Sequence, residues 1–353
     1  MMNLESFAYI VGIAFAINGL ILILSQRTNL FIDDHSQKDH GIHNIPTPRA
    51  GGLGIFIASV SMINLPISLL FFLSAIPAFI AGFLEDLISN LNPKIRLAIM
   101  IFSAVASILL LDAVVYDIGY MKLPFIIGVI FTLFGVVGVI NAINIIDGLN
   151  GLAAGVAVLS FASFGYVAYL YNDMQLVYIA LVLIFATFGF LMMNFPFGKI
   201  FLGDGGSYFL GFTLAELAIL LVNRHPEVSP WFPLVILIYP IWEVVFSIYR
   251  RKFIMNKGAM EPDKLHLHSL FCKRIINSNP KTTILILTIV GVFDIVAVYL
   301  REHTIMLTFL AVLFILTYTF LYLGVINFKS HYVKEKANSI SFNLNLKSKL
   351  RNL

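Results

Sequence analysis

Eleven apolar runs, near 7–24, 50–65, 67–84, 95–111, 124–142, 152–171, 176–194, 207–222, 231–249, 283–300 and 305–327, succeed one another along this chain. Crossing the roughly 30 Å hydrocarbon layer of a bilayer takes about 20 mainly apolar residues. Lipid offers no partner to a backbone amide or carbonyl, so spans of this kind must be helices. Composition agrees: 59% of the 353 residues are hydrophobic and 12% are charged, against about 25% charged in soluble domains. The expected fold is all-α, a polytopic integral membrane protein of about eleven transmembrane helices. The second and third runs are short and meet at Asn64-Leu65-Pro66.

Basic residues collect on the cytoplasmic side of membrane proteins. With the N-terminus outside, every Lys and Arg of the 23 except Lys122, Arg224 and Arg301 falls inside. The expected topology is therefore N-terminus out and C-terminus in the cytoplasm. One transmembrane catalytic domain should occupy 1–327, with cytoplasmic loops at 25–49, 85–94, 143–151, 195–206 and 250–282. A basic cytoplasmic tail, 328–353, should lie beside anionic lipid. Met1 to Ser6 carry Glu5 and no basic residue, so the first run reads as a retained helix rather than a cleaved signal. The single cysteine, Cys272, excludes disulfides within the chain and cysteine metal clusters. The net charge of +4 is divided among loops, which argues against a nucleic-acid partner.

Five polar clusters punctuate the apolar chain, all on the predicted cytoplasmic side: His43 to Gly52, Glu85-Asp86, Asn141 to Asn150, Phe201 to Ser207 and Pro262 to Phe271. Carboxylates, amides, imidazoles and glycines gathered at one membrane face suit a phosphorylated, water-soluble substrate, and the helices around them could admit a lipid. Asn141, Asn144 and Asp147 recur every third residue, along one helix face. Gly148 and Gly151 then let the chain turn. A polar helix–helix seam is the simpler explanation, but intramembrane ionisable groups are functional by default.

Phe201-Leu202-Gly203-Asp204-Gly205-Gly206-Ser207 opens a predicted helix, whose N-terminal amides favour anions. Asp204 would repel a bare phosphate, which suggests an intervening divalent cation such as Mg²⁺, commonly held by one or two carboxylates with substrate phosphates. Asp204 or Ser207 could equally just cap the helix. Glu85 and Asp86 could share a metal or form a solvated helix end. Lys94 and Arg96 could receive phosphate oxygens or mark the membrane boundary. In an extended loop His266 and His268 would face one side, as metal ligands, sugar ligands or proton relays. His35, His40, His225, His303 and His331 read as ordinary surface residues.

With these five motifs in this order, the chain from about 40 to 275 resembles the polyprenyl-phosphate N-acetylhexosamine-1-phosphate transferases, glycosyltransferase family 4. The resemblance implies eleven helices and a cytoplasmic active site. The implied activity moves a sugar 1-phosphate from a UDP-N-acetylhexosamine to undecaprenyl phosphate, releasing UMP and starting a surface polysaccharide at the bacterial inner membrane. It further implies Asp204 and Asn144 as ligands of Mg²⁺, or Mn²⁺ in its place, and Phe201 as the contact to uracil. Asp86 is the implied catalytic carboxylate that engages or deprotonates the lipid phosphate, with Asp147 as another essential acid and Glu85 in a secondary role. His266 and His268 would read the sugar and diphosphate. Asn141, Lys94, Arg96, Arg49 and Gly203 complete the substrate side, and membrane lipid and a homodimer partner are compatible with it.

Three positions depart from the family pattern. Glu85 stands where an aspartate is usual, Asn150 replaces a frequent aspartate, and Ser269 follows the histidines where a third is common. These departures point to the polysaccharide-initiating branch rather than the peptidoglycan branch, which uses UDP-N-acetylmuramoyl-pentapeptide. A carrier or non-catalytic binder of polyprenyl phosphate is the rival class. Transporters place binding groups near the midplane, often in repeated halves, and neither feature is visible here.

Overall fold

The computed structural model describes residues 4–28, 31–33, 47–88, 90–256, 258 and 265–326. Lys38, His43 to Pro46, Pro262 to Lys264, the histidines His35, His40 and His331 and the expected basic tail 328–353 lie outside the described residues. Helix α1 (Leu4–Thr28) leads to a two-residue antiparallel pair, β1 (Ile32–Asp33) with β2 (Thr47–Pro48). Helix α2 (Gly51–Ser59) continues through a tighter turn, Val60–Asn64. There follow α3 (Pro66–Ile88), α4 (Pro93–Leu111), α5 (Phe125–Ile146), α6 (Leu152–Leu170), α7 (Met174–Asn194) and α8 (Gly203–Arg224). Next come α9 (Trp231–Ile236), α10 (Ile238–Tyr249), the short α11 (Leu267–Phe271), α12 (Asn279–Tyr299) and α13 (Thr304–Ile326).

Among the described residues, nine helices are long and apolar enough to cross a membrane: α1, α3 to α8, α12 and α13. The chain is thus an all-α, multi-pass membrane protein. Two expected spans differ from this standard. Gly51–Asn64 is a shorter apolar helix, and at 1.5 Å per residue its 14 residues reach only about 21 Å. The run 231–249 is not one helix but two, α9 and α10, broken at Leu237. Pro240 explains the break, because its missing amide leaves the Ile236 carbonyl without its helical donor.

Helix α8 is the axis of the bundle. Except for Asp204 and Ile219, every residue from Gly203 to Leu221 is buried. A helix apolar all round belongs inside such a bundle, and α2, α3, α5 and α6 enclose it. Small residues let the backbones meet. A Cβ placed on Gly82 of α3 would lie 2.2 Å from the Asp204 carbonyl oxygen, and one on Gly52 of α2 would lie 2.2 Å from the Gly206 Cα. Without a hydrophobic drive between helices in lipid, such close van der Waals packing is a principal source of association.

Local signals set the helix ends around the polar face. Asn92 caps α4 by accepting from the Lys94 amide at 2.9 Å, with Pro93 at the first helical position, as N-terminal chemistry favours. The loop between α7 and α8 is pinned twice by Asn194, whose side-chain oxygen accepts from the Gly151 amide at 2.6 Å and whose amide donates to the Ile200 carbonyl at 2.7 Å.

A methyl group at Gly82 must displace backbone, so Gly82→Ala should destabilise the protein by about 1–3 kcal/mol. Gly138, with nothing within 4 Å of its notional Cβ, should accept alanine without loss. Thermal unfolding of the two variants in detergent checks the contrast.

Candidate functional site

The helix ends on the predicted cytoplasmic face bring four of the five polar clusters together around the start of α8. Glu85 and Asp86 sit in the last turns of α3, not in a loop. Both oxygens of the buried Asp86 carboxylate are taken by backbone amides: Oδ1 accepts from Asp204 and Oδ2 from Gly205, each at 2.9 Å. Asp86 therefore caps the start of α8 from across the bundle, where the N-cap residue along the chain, Leu202, makes no side-chain bond. Neither Asp204 nor Ser207 performs that task. Gly203 turns the chain into the helix at φ +77°, and a Cβ there would meet the Arg49 carbonyl at 2.2 Å and Asp86 Oδ2 at 2.5 Å.

This cap corrects the expectation of a phosphate cradle. The amides of Asp204 and Gly205 are already occupied, and Gly205 and Gly206 lie against Phe83 and Gly52. These glycines serve helix contact. What α8 presents instead is the Asp204 side chain, 14% exposed.

Asp204 gathers the site. Its Oδ1 accepts from the Asn144 amide at 3.0 Å, and the same amide lies 3.0 Å from Ser207 Oγ. Its Oδ2 lies 3.4 Å from Arg96 Nη1, and its Oδ1 4.0 Å from Arg49 Nη2. Arg96 also approaches Glu85 at 3.7 Å, while Glu85 Oε2 accepts from the Leu91 amide at 2.8 Å. Lys94 is exposed and lies off this network. Asn141, one turn deeper, donates to the Val137 carbonyl at 2.8 Å and faces Met100 Sδ at 3.9 Å, so it does not converge with Asn144.

Asp147 ends α5 and is half-buried. Desolvation pushes its carboxyl up to about 7, opposed by Arg49 and reinforced by Asp204. It can therefore hold or release a proton near neutrality. The segment carrying Arg49 is tied down by backbone: the Arg49 amide donates to Phe31, the Phe201 amide to Pro48, and the Gly51 amide to Phe201. Phe201, half-buried, thus flanks the first motif.

His266 and His268 do face the same way. Their rings stack in parallel, 5.5 Å apart, because His266 is extended where it precedes α11. His266 Nδ1 lies 2.9 Å from Glu243 Oε1, and His268 Nδ1 lies 3.3 Å from the Tyr239 hydroxyl. Burial pushes His268 down to about 4, so it is neutral under ordinary conditions. Gly148 joins this group to the first, since a Cβ there would sit 2.8 Å from His268 Nε2. The turn after Asp147 is where the two halves of the site meet.

Sequence reasoning missed Glu243, a lone carboxylate in the apolar helix Ile238–Tyr249. That isolation was the available signal. Asn150 is structural: its amide donates to the Pro196 carbonyl at 3.0 Å, and its backbone binds Asn279 and Thr283. An aspartate there would lose the donor. His225, expected as a plain surface residue, is partly buried with Nε2 3.1 Å from Asp173 Oδ2.

Among the described residues, no three or more His, Cys, Asp or Glu side chains converge on one point as a closed metal cage would need. Asp204 and the nearby Glu85 offer carboxylate oxygens of the kind Mg²⁺ takes together with substrate phosphates, while Asn144 turns its amide N–H to Asp204 and would join them only through its own side-chain oxygen.

The family model described as glycosyl transferase family 4 matches residues 68–222. A probable undecaprenyl-phosphate N-acetylglucosaminyl 1-phosphate transferase of Bacillus subtilis is 37% identical over 39% of this chain and 38% of its own length. Undecaprenyl-phosphate alpha-N-acetylglucosaminyl 1-phosphate transferases of Haemophilus influenzae and Thermotoga maritima are 32% and 28% identical. They align over 67% and 74% of this chain, and over 70% and 80% of their own lengths.

Removing the cap should be felt without any substrate. Asp86→Ala strands two backbone amides and should cost about 3–6 kcal/mol of stability, for the loss of two bonds to a charged group, whereas Asp204→Asn keeps its backbone amide and should unfold near the wild-type temperature. Melting of the metal-free protein distinguishes them.

Proposed function

The chain belongs to glycosyl transferase family 4, and on that footing we propose that it transfers N-acetylglucosamine 1-phosphate from its UDP derivative to undecaprenyl phosphate. UMP is released, and the lipid-linked sugar initiates a cell-surface polysaccharide at the cytoplasmic face of a bacterial inner membrane. Relatives that are undecaprenyl-phosphate N-acetylglucosaminyl 1-phosphate transferases support these substrates. The observation that carries the reading is the convergence of Asp204, Asn144, Arg49 and Arg96 at one open end of a membrane bundle.

The reaction needs alignment more than activation. An oxygen of the lipid phosphate forms a bond to the β-phosphorus of the nucleotide sugar. The bond from that phosphorus to the bridging oxygen breaks, and its electron pair leaves with UMP. Asp204 and Asn144 are the residues that would hold Mg²⁺, which when bound offsets diphosphate charge. Arg49 and Arg96, now turned toward Asp204, are placed to take phosphate oxygens. Asp147 is suited to hold a proton of the acceptor phosphate, and its neighbour Gly148 keeps the histidine pair close. Phe201 would stack on the uracil, and His266, through its acceptor nitrogen, would take a hydrogen bond from a hydroxyl of the sugar.

Purified protein given undecaprenyl phosphate, Mg²⁺ and UDP-N-acetylglucosamine should release UMP, with at least a hundredfold loss in Asp204→Asn, about what loss of a key electrostatic group costs. Release with UDP-N-acetylmuramoyl-pentapeptide instead would assign the peptidoglycan reaction. Lipid binding with no release from any UDP-sugar would leave a non-catalytic binder.

A further inference from the structure

Helix α13 lies outside the matched region 68–222, yet it reaches the site. The Tyr318 hydroxyl donates to Glu243 Oε2 at 2.8 Å, and Glu243 Oε1 receives His266 Nδ1 at 2.9 Å and the Leu267 amide at 3.3 Å. We propose that Tyr318 is a positioning residue, acting through Glu243 to fix the ring orientation and tautomer of His266. This rests on the transferase reading above.

The argument is one of donors and acceptors. Glu243 is wholly buried and Tyr318 is 2% exposed, so the carboxylate has only protein to satisfy it. A carboxylate accepts at both oxygens. With Tyr318 and the Leu267 amide donating to it, the short contact to His266 places the ring proton on Nδ1. Nε2 is then the acceptor nitrogen. A histidine's reactive nitrogen is set by the hydrogen bond its other nitrogen makes. Because His266 stacks on His268, and His268 rests against Gly148, a rotation of His266 is transmitted to the turn that carries Asp147.

Other contacts hold the Tyr318 ring independently of its hydroxyl. It packs edge-on against Phe246 at 5.4 Å and parallel to Tyr322 at 6.3 Å, and Arg250 stands 5.5 Å over the Tyr322 ring. Tyr318→Phe therefore deletes one hydrogen bond and leaves the packing. The titratable and charged groups facing Glu243 are Tyr239 from α10, His266 and His268 from the loop and α11, and Tyr318 from α13, with Arg250 next to Tyr318.

The test uses the full chain, with UMP release measured across pH and nucleotide-sugar concentration. Tyr318→Phe should lower kcat about 5- to 50-fold, the range expected when a buried carboxylate loses one donor. KM for the nucleotide sugar should stay near wild type, and Tm should fall by a few degrees, because a buried carboxylate loses one of its donors. With one donor fewer, the buried anion draws positive charge from His266 more strongly, so the acid limb of the pH–rate profile should move to higher pH. Glu243→Gln still offers an oxygen to Nδ1 but no charge, so its acid limb should move to lower pH. Tyr322→Phe should match wild type. Unchanged kcat, or acid limbs that stay put or move the same way in the two variants, would overturn the proposal. An inactive wild type would instead sink the transferase reading itself.

Discussion

The carboxylate of Asp86 bonds two backbone amides at the start of α8, and the direction in which Asp204 points depends on that pair of bonds. A helix start left unsatisfied inside a membrane bundle is costly. Supplying an anion from a neighbouring helix meets that need and locks α3 to α8 at the level of the site. Hydrogen bonds to charged groups contribute about 1.5–3 kcal/mol each, enough to outweigh the repulsion between neighbouring carboxylates when two are made. Asp204, Asn144, Arg96 and Arg49 then fall into place around one point, because each belongs to an element that touches the same helix end.

Glycine contact and polar chemistry are two aspects of one arrangement. The approach of Gly82 and Gly52 to the first turn of α8 brings α2 and α3 close enough for Asp86 to reach it. The second half of the site follows the same logic at larger separation. There Glu243, buried in α10, gathers the histidine loop and α13, and Gly148 admits the His268 ring beside Asp147. A polar group buried in a bilayer gains from such partners, and the buried carboxylates of Asp86 and Glu243 are the fixed points for the elements around them.

Apolar runs made the all-α, multi-pass membrane fold legible from the chain, and Glu85, Asp86, Asp147 and Asp204 do stand at helix ends. The three-residue spacing of Asn144 and Asp147, and the extended setting of His266 before His268, survive into the folded protein. Other features depended on partners distant in sequence. That Asp86 caps a helix starting at Gly203 has no local signature, and capping rules look along the chain. Asn150 reads as a lost acid until its amide is seen on the Pro196 carbonyl. Asn141 shares a helix face with Asn144, yet the packing of α4 turns it to Met100. Glu243 stood in plain view as a charge within an apolar run, and only its contacts give it a task.

Which phosphorus moves is the most direct question for this account. Protein in lipid should be given UDP-N-acetylglucosamine labelled with ³²P at the β-phosphate alone, with undecaprenyl phosphate and Mg²⁺. Sugar 1-phosphate transfer predicts that the label enters the organic phase with the lipid, in step with UMP release, and does so far more slowly in Asp204→Asn. Label remaining in water as UDP while sugar reaches the lipid would mean cleavage on the sugar side of the diphosphate, and would contradict the account.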